Sequence, residues 1–128
     1  MKIKLLLLIL VSMLLTSCSK DEGYGGLASI RGKIYAKNYN SSGYLVSEGY
    51  LGEARVYISK HGDASSFDDI RTSYDGSFRF KFLQEGTYDI WAFGDCDSCT
   101  WSQNYVVKTV EITSRKADVS MEDIIITF

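Results

Sequence analysis

The chain has 128 residues, 45% of them hydrophobic, with 14 Lys and Arg residues against 16 Asp and Glu residues and no proline. This length fits one domain with a modest core. The slightly acidic balance, without a cluster of basic residues, argues against a nucleic acid as a partner.

Residues 1–17 have the organisation of a secretory signal. Lys2 and Lys4 form a short basic region, and an almost unbroken apolar run from Leu5 to Leu15 follows. A membrane-spanning helix needs about 20 apolar residues, so this shorter run predicts a cleaved signal peptide. Loss of Lys2 and Lys4 with that peptide changes the net charge from −2 to −4.

The signal ends at Leu15-Thr16-Ser17-Cys18. This sequence resembles the lipobox of bacterial lipoproteins. The resemblance implies cleavage before Cys18, acylation of that residue with palmitate-type chains, and anchoring of the protein in a membrane. The cysteine count agrees, because a lipidated Cys18 leaves Cys96 and Cys99 as an even pair for an oxidising compartment. An ordinary secretory signal with an unmodified cysteine is the alternative.

Residues 18–26 are predicted to form a lipidated flexible tether, since three of its residues are glycine. The residue after Cys18 is serine and not aspartate. In this respect the sequence resembles the lipoproteins that diderm bacteria send to the outer membrane. Lys20-Asp21-Glu22 resembles the surface-export signal of the Bacteroides group. The resemblance implies an outer-membrane lipid anchor, with surface and periplasmic orientations both open.

The rest of the chain, residues 27–128, is predicted to form an all-β domain. Several segments alternate apolar and polar side chains with a period of two, which gives each strand one inward and one outward face. In the clearest segment, Phe78, Phe80 and Phe82 are expected to share the inward face. The inward residues of the other segments are predicted to be Ile30, Gly32, Ile34 and Ala36; Ala54, Val56 and Ile58; Tyr88, Ile90 and Ala92; and Val106, Val110 and Ile112.

The final segment changes parity between Met121 and Ile124, and a bulge near Glu122-Asp123 is expected to correct it. A further strand is predicted around Phe67 to Ser73. Together these segments predict about seven short strands in an antiparallel Greek-key β-sandwich.

Three stretches resemble the recurring elements of carboxypeptidase regulatory-like domains. They are "GKIYA" at 32–36, "GEARVYI" at 52–58 and "TSYDGSFRFKFLQEGTYDIWAFG" at 72–94. The resemblance implies the transthyretin-like, seven-stranded sandwich of that family. Family members often have a proline beside the glycine of the last matched turn, where this chain has Gln84-Glu85-Gly86. The matched motifs serve turns and core, so the resemblance implies a fold and no activity.

Catalytic chemistry has little support in the sequence. His61 is the only histidine, and we expect it in a surface loop after the second strand. No motif supplies a serine and an aspartate to act with it. Asp63, Asp68 and Asp69 lack the spacing of a calcium loop and are interpreted as solvated turn charges. We predict no catalytic residue, no metal site and no cofactor.

Cys96 and Cys99 form the most singular motif of the domain. A thioredoxin-like redox pair opens a helix, whereas this pair lies between predicted strands, and a structural zinc site needs four ligands. A disulfide that pins the loop is favoured, since secretion supplies the oxidant. A thiol–disulfide enzyme is the less favoured alternative.

Several aromatic residues are candidates for ligand binding. Four are expected to point outward from their strands, and they are Tyr35, Tyr57, Trp91 and Phe93. The fifth, Trp101, follows just after the cysteine loop. Exposed apolar patches often mark binding surfaces, for a glycan or an envelope protein here. The competing interpretation, slightly favoured, is that the segment Asn38 to Leu51 folds back over them. The predicted function is a non-catalytic binding or accessory module at the cell envelope, and a passive structural spacer is the alternative.

Overall fold

The computed structural model describes residues 2–4, 21–95 and 103–128. These residues form nine strands in two sheets, which confirms the predicted all-β sandwich with two strands more than expected. The strands are β1 (Tyr24–Tyr39), β2 (Leu45–Tyr50), β3 (Arg55–Lys60), β4 (Asp68–Arg71), β5 (Ser77–Leu83), β6 (Gly86–Asp95), β7 (Gln103–Ile112), β8 (Asp118–Ser120) and β9 (Ile124–Thr127). In this part of the chain, no helix has the length and apolarity that crossing a membrane requires.

The first sheet is organised around β1, a strand of 16 residues. Its first half pairs with β5 (antiparallel) and β8 (parallel), and its second half pairs with β2 (antiparallel) and β9 (parallel). The change of partners falls between Lys33 and Ile34. One long strand therefore pairs with four shorter strands.

The second sheet has the strand order β4-β3-β6-β7 and is antiparallel throughout. β6 pairs with β7 over ten residues, from Gly86 opposite Ile112 to Asp95 opposite Gln103. This register is unbroken, so successive β6 side chains alternate strictly between the two faces of the sheet. Asp89, Trp91 and Phe93 consequently share the outer face.

The core lies between the two sheets and consists almost entirely of apolar side chains, whose burial drives folding. The predicted inward apolar side chains of β1, β3, β6 and β7 are buried or packed against the core, which confirms their faces. Gly32 of β1 lies against Phe78 and Met121. The buried hydrophobic residues are Ala28, Ile30, Ile34, Val56, Ile58, Phe78, Phe80, Leu83, Tyr88, Ile90, Ala92, Val110, Ile112, Ile124 and Ile126.

Phe82 departs from the predicted pattern. Phe78 and Phe80 are buried as expected, but Phe82 is 65% exposed and Leu83 takes the inward position. The prediction for Phe82 is wrong because its backbone has a φ of 60°. The left-handed conformation interrupts the alternation, so the consecutive residues Lys81 and Phe82 are both exposed. The interruption lies close to the register shift between β1 and β5.

The C-terminal change of parity is corrected by a break that is longer than the expected bulge. β8 ends at Ser120 and β9 begins at Ile124. Between them, the Met121 N–H donates to the Arg31 carbonyl at 2.9 Å. The break lets β8 and β9 pair with different halves of β1, and Ile124 and Ile126 are buried.

The N-terminal boundary of the domain lies earlier than predicted. β1 begins at Tyr24, inside the expected tether of residues 18–26. The Gly23 N–H donates to the Tyr88 hydroxyl at 2.8 Å, and the Gln84 N–H donates to the Gly23 carbonyl at 2.8 Å. Residues from Gly23 onward therefore belong to the folded domain, because these long-range bonds hold a backbone that its glycines would otherwise leave free.

Candidate functional site

A groove of about 480 Å³ lies on the outer face of the second sheet. It is formed by alternate residues of β3, β6 and β7 and by the turn after β3. The lining residues are Ser59, Asp63, Ala64, Asp89, Trp91, Phe93, Tyr105 and Val107. Strand register brings them together, since Trp91 lies opposite both Tyr57 and Val107, and Phe93 lies opposite Tyr105.

One end of the groove is aromatic. The rings of Tyr57 and Trp91 are nearly parallel, with 5.7 Å between centroids and an interplanar angle of 12°. Phe93 packs edge-to-face on Tyr57 at 5.5 Å and on Tyr105 at 6.1 Å. Such pairs add stability beyond the area they bury and hold each ring in place. Phe93 and Tyr105 are nevertheless 41% and 64% exposed, so apolar ring surface is left open to solvent.

The other end of the groove holds a fixed carboxylate, that of Asp89. Its Oδ1 accepts a hydrogen bond from Thr109 Oγ1 at 2.8 Å and lies 2.9 Å from His61 Nδ1. Its Oδ2 accepts from the Gly62 N–H at 3.2 Å. Burial raises the pKa of Asp89, but the bonds from His61, Thr109 and Gly62 outweigh it and hold the pKa below its usual range. Asp89 is therefore ionised at neutral pH.

Ser59 lies opposite Asp89 in the β3–β6 register and lines the same groove. Its side chain is buried, and its Oγ has no hydrogen-bond partner among the described residues. Buried hydroxyl groups are normally hydrogen-bonded. His61 Nδ1 contacts Asp89 and not Ser59. Activation of a serine nucleophile would need a hydrogen bond between the serine and the histidine.

The structure brings together three of the predicted aromatic residues, Tyr57, Trp91 and Phe93. Tyr35 is separate from them, because it lies on β1 in the first sheet and packs edge-to-face on Tyr50 at 5.2 Å. Trp101 lies outside the described residues. So do Cys18, Cys96 and Cys99, whose predicted lipidation and disulfide stay predictions.

The expected cover of the aromatic face is wrong. Within the segment Asn38 to Leu51, residues 45–50 form β2, whose backbone pairs with the second half of β1. That pairing places the segment at an edge of the first sheet, and none of its residues lines the groove. The aromatic face of the second sheet is therefore not roofed by this segment.

Tyr105, Val107, Asp89 and Ser59 were not among the predicted site residues. The alternation of β7 contains a signal for two of them, since inward Val106 and Val110 imply outward Tyr105 and Val107. Their position beside Phe93 and Trp91 depends on the β6–β7 register, which spans a connection that sequence alone does not align.

The aspartates considered for calcium have other contacts. Tyr24 donates a hydrogen bond to Asp68, and Arg55 Nη1 lies 2.5 Å from Asp69 Oδ2. Asp63 lies at the groove. In the described ranges, no group of three or more His, Cys, Asp or Glu residues is arranged to hold a metal ion.

Fold and groove together define a class: an all-β sandwich domain with an aromatic and acidic groove on one sheet. No protein-family model and no curated protein matches the chain. A solved structure from Pseudomonas aeruginosa, of a protein provisionally assigned as carbohydrate-binding, is similar with a TM-score of 0.48 and 15% identity. The match covers 83% of this chain and 91% of that chain. At this level, the similarity assigns neither a family nor a function.

Proposed function

We propose that the protein is a lipid-anchored, non-catalytic binding module of the outer membrane that binds sugar units in the groove of the second sheet. The observation that carries the proposal is the aromatic lining of the groove by Trp91, Phe93 and Tyr105, beside the fixed carboxylate of Asp89. Tyr57 packs on Trp91 and Phe93 and supports their rings. Flat rings offer apolar surface to the face of a sugar ring, and a carboxylate accepts hydrogen bonds from its hydroxyl groups.

The charge of the groove restricts the class of glycan. Its described lining includes two carboxylates, Asp63 and Asp89, and neither lysine nor arginine. An acidic sugar would bring a third negative charge into a partly desolvated site, where Coulomb repulsion is stronger than in bulk water. We therefore expect neutral hexoses or amino sugars, and weak binding of uronic acids and sulfated glycans.

The lipid anchor is the second part of the proposal, and it rests on the resemblance of Leu15 to Cys18 to a lipobox. A thioether-linked lipid on Cys18 would place the domain at an envelope membrane. Metabolic labelling of the expressed protein with an alkyne fatty acid tests this directly. We expect label on the wild-type protein and none on Cys18→Ser, and an unlabelled wild type would remove the anchor.

A glycan array carrying neutral, amino and acidic oligosaccharides tests the groove. We expect binding to neutral or amino glycans, reduced by more than about tenfold in Trp91→Ala, which is a loss of about 1.4 kcal/mol. Tyr74→Ala is the matched control, because Tyr74 is 96% exposed on the turn between β4 and β5, away from the groove. Equal losses in both variants, or preference for acidic glycans, would contradict the proposal. An array without any binding would favour a protein partner or a passive spacer.

A further inference from the structure

Very few residues connect the proposed lipid to the folded domain. Gly23 is buried and bonded to Tyr88 and Gln84, so only residues 19–22 separate it from Cys18. A fully extended chain advances at most about 3.6 Å per residue, so Gly23 lies within about 18 Å of the lipidated cysteine. A ten-residue strand such as β6 is about 33 Å long. The tether therefore holds the end of the sandwich that contains Gly23 close to the membrane.

That end of the first sheet exposes two large apolar side chains, Phe82 at 65% and Leu27 at 51%. Ala28 pairs with Leu83 across β1 and β5, and both are fully buried. Leu27 and Phe82 directly precede this buried pair on their strands, and both are exposed on the opposite, outer side. We call these two side chains the apolar patch, and they lie close in sequence to the segments bonded to Gly23.

The backbone at Phe82 is unusual for a bulky residue. Its φ of 60° lies in the left-handed region, which bulky residues rarely adopt because the backbone is sterically strained there. The alternation of β5 would otherwise point this ring into the core. Phe82 thus has a strained backbone and an exposed aromatic ring. A second surface that covers the ring would account for its outward position.

Cationic side chains flank the apolar patch. Lys81 is exposed beside Phe82, and the turn between β7 and β8 carries the exposed Arg115 and Lys116. This turn is held against β1, because the Ser29 N–H donates to the Ala117 carbonyl at 2.9 Å.

Arg115 also shares a cleft with Gly25 and Gly26, immediately before Leu27. Acidic side chains are present at this end as well. Glu85 lines the same cleft as Arg115, and Glu22 lies beside Gly86. Asp118, which follows the turn, is paired with Arg31 and Arg79. Apolar residues with adjacent lysine and arginine are the composition of surfaces that lie in a lipid headgroup region.

We propose that Leu27 and Phe82, with Lys81, Arg115 and Lys116, dock the domain on the lipid surface that holds its anchor. The apolar side chains enter the headgroup boundary and the cations pair with lipid phosphates. The inference rests on the proposed lipidation of Cys18. Its consequence is a fixed orientation: the groove at Asp89 to Phe93 lies along β6 beyond Gly86, about 10–23 Å further from the membrane.

The test uses the full-length lipidated protein in vesicles of phosphatidylethanolamine and phosphatidylglycerol, with and without brominated acyl chains. Bromine quenches tryptophan fluorescence only at short range, so a tryptophan introduced at position 82 or 27 reports insertion. The variants are Phe82→Trp and, in case position 82 disturbs folding, Leu27→Trp. The control is Tyr74→Trp, at the opposite end of β5, and the signal of the unmodified protein is subtracted from each.

We expect the added tryptophan of Phe82→Trp and Leu27→Trp to be quenched at least about twofold more than that of Tyr74→Trp. Equal quenching at all three positions in protein that floats with the vesicles would overturn the docking and leave the lipid anchor intact. Wild-type protein that does not float would remove the anchor, and the docking inference would fail with it.

Discussion

The hydroxyl group of Tyr88 binds the backbone of Gly23, which lies 65 residues earlier in the chain. It accepts from the Gly23 N–H at 2.8 Å and lies 2.7 Å from the Gln84 carbonyl, while the ring is fully buried in the core. One side chain thus fills the core and closes the N-terminal end of the sandwich. The same contact determines how close the domain lies to its proposed anchor.

Tyr88→Phe keeps the ring and removes these bonds. A buried donor or acceptor left without a partner costs about 1–3 kcal/mol, so we expect a loss of that size in the free energy of unfolding. Hydrogen exchange at the amide of Gly23 should become faster at the same time. Tyr105→Phe is the control, because the Tyr105 side chain is 64% exposed. Slow exchange at Gly23 in Tyr88→Phe would show that the strand start is held by other contacts.

The two neighbouring isoleucines of β9 test the face assignment after the break at residues 121–123. Ile126 is 1% exposed and Ile125 is 47% exposed. Ile126→Ala should lower the free energy of unfolding by about 2–5 kcal/mol through lost burial and a cavity. Ile125→Ala should cost less than about 1 kcal/mol. Chemical denaturation measures both values, and similar costs would contradict the inward face of β9.

Asp89 should make stability depend on pH. Its pKa is lowered in the folded state, because hydrogen bonds from His61, Thr109 and Gly62 outweigh the effect of burial. A lowered folded pKa contributes stability above the unfolded value near 3.9 and loses it as pH falls through the folded pKa. Asp89→Asn should therefore be less stable than the wild type at pH 7, and the difference should begin to shrink as pH falls below about 3.9 and should disappear below the folded pKa.

Urea titrations at a series of pH values measure this difference. Asp63→Asn is the matched control, because it removes an exposed carboxylate of the same groove. A difference between Asp89→Asn and wild type that persists unchanged in acid would show that the carboxylate charge contributes nothing.

At Gly94, β6 lies close to the backbone of β9. A Cβ atom there would lie 2.6 Å from the Thr127 carbonyl oxygen and 3.0 Å from its nitrogen. Gly94→Ala should separate the strands and cost about 1–3 kcal/mol, the usual range for overpacking. Gly49→Ala, on β2 with nothing within 4 Å of the added atom, should be close to neutral. Equal melting temperatures of the two variants would contradict the close approach.

The predicted disulfide can be tested in the exported protein. If Cys96 and Cys99 are bridged, neither reacts with maleimide until a reductant is added. Cys96→Ser should then expose one reactive thiol at Cys99. Quantitative labelling of the wild type without reductant would instead support the thiol–disulfide alternative.

Much of the fold was predictable because it depends on local alternation. Segments such as Ile30 to Ala36 and Tyr88 to Ala92 repeat apolar side chains every second residue, and a pleated strand turns that period into one buried face. Phe82 is an exception to this alternation. A phenylalanine at position 82 fits the inward pattern, but a positive φ near the end of β5 turns its ring outward, and Leu83 is buried in the core.

The candidate site was also predictable only in part. Outward positions for Tyr57, Trp91 and Phe93 follow from parity within their own strands. Their association with Tyr105 and Asp89 depends on which residues lie opposite one another across strands. Tyr35 has the same parity signal but lies in the other sheet, where it contacts Tyr50.

The sequence by itself determined the all-β class, the inward faces of most strands and the outward aromatic positions, since each follows from neighbouring residues along the chain. Only the tertiary structure decided the use of β1 by four partners, the pairing of residues 45–50 with that strand, and the attachment of Gly23 to Tyr88. These depend on hydrogen bonds between residues far apart in sequence, whose free energy is gained only when the two sheets are packed together.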